Sequence, residues 1–265
     1  MRTRQACLVM VLLLLTALLA VIGGRKAGLQ WPAIPRNDRL RSDFVRGENG
    51  RITYPGAVLG VDVSHHQGII DWERVREDGV EFAILRIGFR GYTVGNIKPD
   101  ESFARNYVEA RQAGLKLGVY FYSQALSLDE ARQEAAWVLQ MLDGVELELP
   151  VFYDWEVSEE GRTAGKANSA VTDYALAFCQ AISEGGYSTG VYFNQEYGYT
   201  IMKLERLKDY DFWIAEYQPY QSFRYHTAFW QFSCEGTVDG IDTAVDMDLM
   251  FAEEENHGET EKNHG

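Results

Sequence analysis

Cysteine, metal-binding patterns and basic charge are all scarce in this chain, and each scarcity narrows what it can be. Three cysteines in 265 residues do not make a disulfide scaffold. Cys179 in "YALAFCQAI" and Cys234 in "WQFSCEG" read as small buried hydrophobes, with one bridge between them left open for an oxidising compartment. There is no H-E-x-x-H and no cysteine cluster, and the adjacent His65 and His66 would point to opposite sides of an extended chain. No metal and no cofactor is therefore expected, which weighs against metal-dependent carbohydrate deacetylation. Lys and Arg number 25 against 39 Asp and Glu, a net charge of -14. Residues 1 to 51 hold nine basic and three acidic residues, so the remainder carries -20. A phosphate backbone needs a basic footprint, and this acidic body argues against nucleic acid as the main partner.

Long apolar runs are confined to the N-terminus. Arg2 and Arg4 precede an uninterrupted apolar or small-residue run from Ala6 to Gly24, followed by Arg25 and Lys26. Its 19 residues would span a bilayer at about 1.5 Å per residue and exceed the roughly 7 to 15 residues of a cleavable signal core. The run is expected to be a membrane anchor behind a short cytoplasmic N-terminus (1–5), with cleavage near Ala20 to Gly24 as the competing reading. Residues 25–56, with Pro and Gly among scattered charges, read as a stalk or linker. A single domain is expected over 57–252, and the polar acidic tail 253–265 is expected to be disordered. The protein is thus expected outside the cell as a monomer, held at the membrane or secreted.

Eight runs rich in Val, Ile and aromatics read as strands: "AVLGVDVS", "FAILRIGF", "LKLGVYFYS", "LPVFYDWE", "STGVYFN", "DFWIAEY", "TAFWQFS" and "AVDMDLM". Helical runs separate the earlier ones: "DWERVRED", "ESFARNYVEARQAG", "LDEARQEAAWVLQMLDG", "VTDYALAFCQAISEGG" and a short "KLERLKDY". Ser127 and Glu130 have the spacing of a capping box. Repeated strand-then-helix units imply parallel strands under helices. Eight strands point to an α/β fold, an irregular (β/α) TIM-like barrel with helices missing between the last strands. An open doubly wound sheet is the alternative, disfavoured because no G-x-G-x-x-G follows the first strand.

In "PVFYDWE" a period of two places Phe152, Asp154 and Glu156 on one face and Val151, Tyr153 and Trp155 on the other. The α-carbons of Asp154 and Glu156 would lie roughly 6.5 to 7 Å apart, within reach of one substrate. Asp62 in "GVDVS" and Asp246 in "AVDMD" also fall at strand ends. In a barrel these ends share one rim, where barrel active sites lie. Acids crowded into an apolar rim hold their protons unequally, so that one can donate a proton while another stays charged, as glycoside hydrolysis requires. The bland alternative is that Asp62 caps a turn with Ser64, Asp154 and Glu156 pair with Arg86 or another cation, and Asp246 makes a turn.

The motifs "GVDVSHHQGIIDW", "ILRIGFRGY", "GVYFYSQA", "PVFYDWE", "FWIAEY", "WQFS" and "VDMD" occur in that order, from about Gly60 to Phe251. Together they resemble glycoside hydrolase family 25, the Chalaropsis-type lysozymes. The resemblance implies cleavage of the β-1,4 bond between N-acetylmuramic acid and N-acetylglucosamine in peptidoglycan, on an irregular barrel with no metal. It places Glu156 as the acid/base and Asp154 as the carboxylate beside it, with Asp62 and Asp246 as the other two acids. It leaves open whether the substrate's acetamido group attacks the anomeric carbon with help from Asp154, or an Asp is the nucleophile. One departure stands out: where the family commonly has V-D-x-N, this chain has Asp248.

Sugar rings stack on aromatic faces, which makes Tyr92, Tyr122, Tyr153, Trp155, Trp213, Tyr217 and Trp230 candidates. Tyr122 and Tyr217, at strand ends within matched motifs, are preferred, and Trp155, on the opposite face from the acids, is expected to turn outward. Asn194 and Gln231 lie at similar ends and could bind an acetamido or hydroxyl group, or make a structural hydrogen bond. The competing function is a non-catalytic, membrane-held barrel that grips glycan without cutting it. A binder has no need of a buried acidic cluster, which favours the enzyme.

Overall fold

The computed structural model describes residues 34–252, and every one of the eight expected runs forms a strand. A short antiparallel hairpin, β1 (Val45–Arg46) and β2 (Ile52–Thr53), precedes β3 (Val58–Val63), β4 (Phe82–Arg90) and β5 (Ile97–Pro99). Then come β6 (Lys116–Ser123), β7 (Val151–Trp155), β8 (Thr189–Asn194), β9 (Asp211–Ala215), β10 (Phe229–Gly236) and β11 (Val245–Met250). The order β3-β11-β10-β9-β8-β7-β6-β4, closed by β3 against β4, makes an eight-stranded barrel; β5 pairs with the end of β4 as a ninth strand.

Helices cross over between the parallel strands: α1 (Trp72–Glu77), α2 (Phe103–Gln112), α3 (Leu128–Met141) and α4 (Ala170–Glu184). Their starts follow from local chemistry. Asp71 accepts the Arg74 N–H at 3.2 Å, and Ser127 accepts the Glu130 N–H at 3.2 Å. Glu130 reaches back to the N–H of Leu126 (2.7 Å), one residue earlier than a capping box requires. "KLERLKDY" supplies only a 3-10 turn, Leu204–Arg206, and the helix in that connection is α5 (Gln195–Thr200). Loops alone join β9 to β10 and β10 to β11, as expected. The sequence pattern did not reveal that β11 runs antiparallel to both neighbours, a pairing that a connection without a crossover helix permits.

Strand alternation divides the core in two. Phe82, Ile84, Tyr120, Phe152, Tyr192, Trp213 and Phe229 pack together inside the barrel. Residues one position away, among them Val61, Leu85, Phe121, Tyr153 and Trp155, pack with helix residues such as Val75, Val138 and Phe178. Gly60 is required where Phe82 crosses the barrel, because a Cβ there would lie 2.2 Å from its ring. Burying one large apolar side chain contributes roughly 1.5 to 3 kcal/mol, and this double core carries many of them.

The described part of the expected stalk is packed rather than extended. Ile34, Phe44 and Ile52 are buried in the outer core, Phe44 meets Trp230 edge-on at 5.3 Å, and Arg39 lies 3.6 Å over the Phe251 ring. The folded body therefore begins before Ala57, because aromatic side chains scattered among charges carry no period yet still bury. The expected anchor (6–24) and acidic tail (253–265) lie outside the described residues, among which no helix is long and apolar enough to cross a membrane. Cys179 is buried and Cys234 exposed, both as free thiols, so the bridge left open between them is not formed.

Candidate active site

One mouth of the barrel holds a cleft of about 260 Å³ lined by Asp62, Asp154, Glu156 and Asp246 together. Asp62 ends β3, and Asp154 and Glu156 ride the end of β7 as alternation requires. Asp246 reaches the same rim for a different reason: it lies at the start of β11, and the antiparallel direction of that strand brings it directly opposite Asp62. A parallel β11 would have sent it to the far mouth.

Hydrogen bonding around the acids is sparse on the carboxyls and dense on their supports. Gln231 donates through Nε2 to Asp62 (2.7 Å), and its Oε1 accepts from the hydroxyls of Tyr192 (3.0 Å) and Tyr217 (2.9 Å). Asp154 is 5% exposed, and its Oδ1 has no hydrogen-bond partner among the described residues. The Glu156 backbone carbonyl is gripped by Gln124 Nε2 (2.7 Å) and Thr163 Oγ1 (3.3 Å), both from buried side chains, which fixes where that residue leaves the strand. Arg86 lines the cleft but donates its Nε to Asp100 (2.9 Å), so it does not pair with Asp154 or Glu156. Ser64 caps the turn His65–Gln67 without Asp62.

Electrostatics follow from this shortage of donors. Burial first, then the Glu156 charge, pushes Asp154 well up, against a downward pull from Arg86. Burial and Asp246 raise Glu156. Asp246 is raised by burial to about 6, and Asp62 is raised well up by burial and by its neighbours Asp246 and Asp248. At neutral pH such a group holds fewer charges than carboxyls, so a proton donor and a charged neighbour coexist within one cleft.

Of the remaining candidates, Tyr122 and Tyr217 line the cleft, and Tyr217 is 51% exposed, with a face open to a ligand. Trp213 is only 1% exposed and forms the floor, where its Nε1 donates to Asp248 (2.8 Å), so it offers no open stacking face. Tyr92 lies outside the lining and packs edge-on against Tyr122 at 5.8 Å. Asn194 is the N-cap of α5, accepting the Tyr197 N–H at 2.8 Å, and does not line the cleft. Tyr153 and Trp230 are buried outside the barrel, and Trp155 does turn outward, donating to the Ala125 carbonyl at 2.8 Å. Sequence reading missed Tyr120, Tyr192 and Arg86. The first two were findable, since each lies two residues before a residue already chosen on the same strand, Tyr122 and Asn194. Arg86 had been weighed only as a partner for the acids.

The family model described as "Glycosyl hydrolases family 25" matches residues 61–241. The chain is 28% identical over 192 residues to an autolytic lysozyme of Clostridium acetobutylicum, covering 71% of this chain and 54% of that protein. It thus spans about half the length of that relative. It is 31% identical over 211 residues to the uncharacterized protein YegX of Escherichia coli K12, covering 76% of this chain and 72% of that one. Among solved structures, the modular autolysin LytC of Streptococcus pneumoniae superposes with a TM-score of 0.66 at 22% identity, over 78% of this chain and 52% of that chain, and has also been solved with a synthetic peptidoglycan ligand. The match to the family model over residues 61–241 establishes that this chain belongs to glycoside hydrolase family 25.

Proposed function

We propose that this protein hydrolyses peptidoglycan, cutting the β-1,4 bond between N-acetylmuramic acid and N-acetylglucosamine. The observation that carries the reading is four acids in one cleft with no cation bonded to them among the described residues, a costly arrangement unless protons are to be moved. Glu156 protonates the leaving glycosidic oxygen, and a water completes the hydrolysis. Asp154, whose Oδ1 lacks a donor, accepts the N–H of the sugar's acetamido group and orients its oxygen toward the anomeric carbon. Asp62 and Asp246 stabilise the positive charge that develops on the sugar. Tyr122 and Tyr217 flank the sugar rings, and Gln231 holds Asp62 and Tyr217 in place. The relatives' names, an autolytic lysozyme and an autolysin solved with a peptidoglycan ligand, support this substrate class. The run Ala6 to Gly24 would carry the barrel outside the cell as a membrane anchor or signal peptide, with the enzyme acting as a monomer.

Purified protein incubated with peptidoglycan should release new reducing ends, and Glu156→Gln should lower that rate by about 10²- to 10⁴-fold while keeping its melting temperature. Glycan binding by the wild type without any release would overturn the hydrolase and leave the wall-binding alternative.

A further inference from the structure

The chain leaves Glu156 through a tight turn, in which the Gly161 N–H donates to the Ser158 carbonyl (3.0 Å) and the Ala164 N–H to the Gly161 carbonyl (3.2 Å). Thr163, fully buried, fastens this turn back onto the acid. Its Oγ1 accepts the Ser158 N–H (2.8 Å) and donates to Gln124 Oε1 (2.8 Å), while the Gln124 amide donates to the Glu156 carbonyl (2.7 Å). The neighbouring Arg162 fastens the same turn outward. Its backbone N–H donates to the Tyr92 carbonyl (2.7 Å), and its Nη2 to Glu130 Oε1 on α3 (2.6 Å).

Tyr92 belongs to a hairpin, 91–96, joining β4 to β5 and closed by the Gly91 N–H on the Asn96 carbonyl (2.9 Å). Gly95 in this hairpin is held between two guanidinium groups. Arg90, buried at the end of β4, donates Nη1 to the Gly95 carbonyl (2.7 Å), Nη2 to the Glu130 carbonyl (3.0 Å) and Nε to the buried Glu134 (2.6 Å). From the other side Arg162 comes so close that a Cβ at Gly95 would collide with its Nη1, and the φ of +80° there disfavours a side chain independently. Tyr92 in turn packs edge-on against Tyr122, which lines the cleft (5.8 Å). One arginine thus ties the segment after the acid to the hairpin that backs a cleft tyrosine.

We propose that Arg162 is a positioning residue for Glu156, holding the acid in register with the cleft by locking the loop 157–165 to the hairpin 91–96. Its effect on catalysis rests on the hydrolase reading; the coupling of the two segments does not. Arg162 does not line the cleft, so it acts through Glu156 and not on the glycan directly. Small displacements of a reacting group lower a rate steeply, so the loss falls on kcat.

Hydrogen exchange read by mass spectrometry on the full chain, without glycan, tests the coupling. Arg162→Met should speed exchange by about tenfold or more in both 157–165 and 91–96, with β3 and β8 at wild-type rates. Gly95→Ala, which changes only the hairpin, should speed exchange in 157–165 as well. On peptidoglycan, Arg162→Met should lower kcat by about 10- to 100-fold and change KM by less than about threefold. Arg162→Lys, whose ammonium can still pair with Glu130, should recover most of the rate. Unchanged exchange in 91–96 for Arg162→Met would overturn the coupling. Faster exchange in both segments with wild-type kcat, or a raised KM at unchanged kcat, would overturn the positioning role. Coupled exchange in a wild type that never releases reducing ends would support the lock and overturn the hydrolase reading and the positioning of its acid together.

Discussion

Asp100 and Asp154 are almost equally buried, 4% and 5% exposed, yet the structure drives their carboxyls in opposite directions. Burial alone would raise both. For Asp100 it is outweighed by the N–H groups of His65 (3.1 Å) and Ser102 (2.9 Å) and by the Arg86 guanidinium, which hold it below its ordinary value. Asp154 has no donor on Oδ1 and a second acid, Glu156, beside it, so burial prevails. Donors account for much of the difference, and Asp100 is also the less deeply enclosed of the two, so burial pushes it up less. Arg86, which lines the cleft, gives hydrogen bonds to Asp100 and His65 and only its field to Asp154.

The largest break in this comparison comes from removing the cation. Arg86→Met strands Asp100 in the interior, and urea unfolding at pH 7 should show a loss of about 3 to 5 kcal/mol. The double variant Arg86→Met, Asp100→Leu should recover most of that loss, because no charge is then left unpaired. A single-variant loss below about 1 kcal/mol would mean that the two backbone donors suffice for Asp100.

How far this arrangement could be read beforehand depends on which physical signal each part leaves in sequence. Alternation in "PVFYDWE" is a local property of one strand, so it correctly sent Asp154 inward and Trp155 outward. Strand direction is a property of the whole sheet. Asp246 was placed on the correct rim by treating it as a strand end, although it begins an antiparallel strand. The packing of Phe44 on Trp230 left no trace at all, because two isolated aromatics nearly 190 positions apart form no pattern. The donors that hold Asp100 are equally silent, two of them being backbone N–H groups whose positions exist only once the loop has folded.

A smaller effect tests the sign of the cleft's electrostatics. Carboxyls raised on folding bind more protons folded than unfolded, so their contribution to stability is complete below about pH 4 and is lost as pH rises through their folded values. For Asp246 that loss runs up to about 6. Asp100 behaves oppositely: its contribution is present above about pH 4 and is lost as pH falls through its depressed value. Asp246→Asn should therefore raise stability at pH 7 by about 1 to 2 kcal/mol and flatten the decline between pH 4 and 6, with stability below pH 4 unchanged. Unfolding curves at several pH values decide this, and a variant that loses stability at pH 7 would show that Asp246 is held by partners rather than strained by burial.

The smallest effect separates a residue at the mouth from a residue of the cleft. Asn194 and Tyr192 share one face of β8, yet only Tyr192 turns into the lining, while Asn194 closes the first turn of α5 on the Tyr197 N–H. Asn194→Ala should lower stability by about 1 kcal/mol, the usual loss for an N-cap, with KM for peptidoglycan unchanged. Tyr192→Phe, which takes one of the two hydroxyls from Gln231, should do the reverse, leaving stability nearly level and lowering kcat through a loosened Asp62. A rise in KM for Asn194→Ala at unchanged stability would return that residue to the sugar-binding surface and sharpen the boundary between what supports the cleft and what touches its ligand.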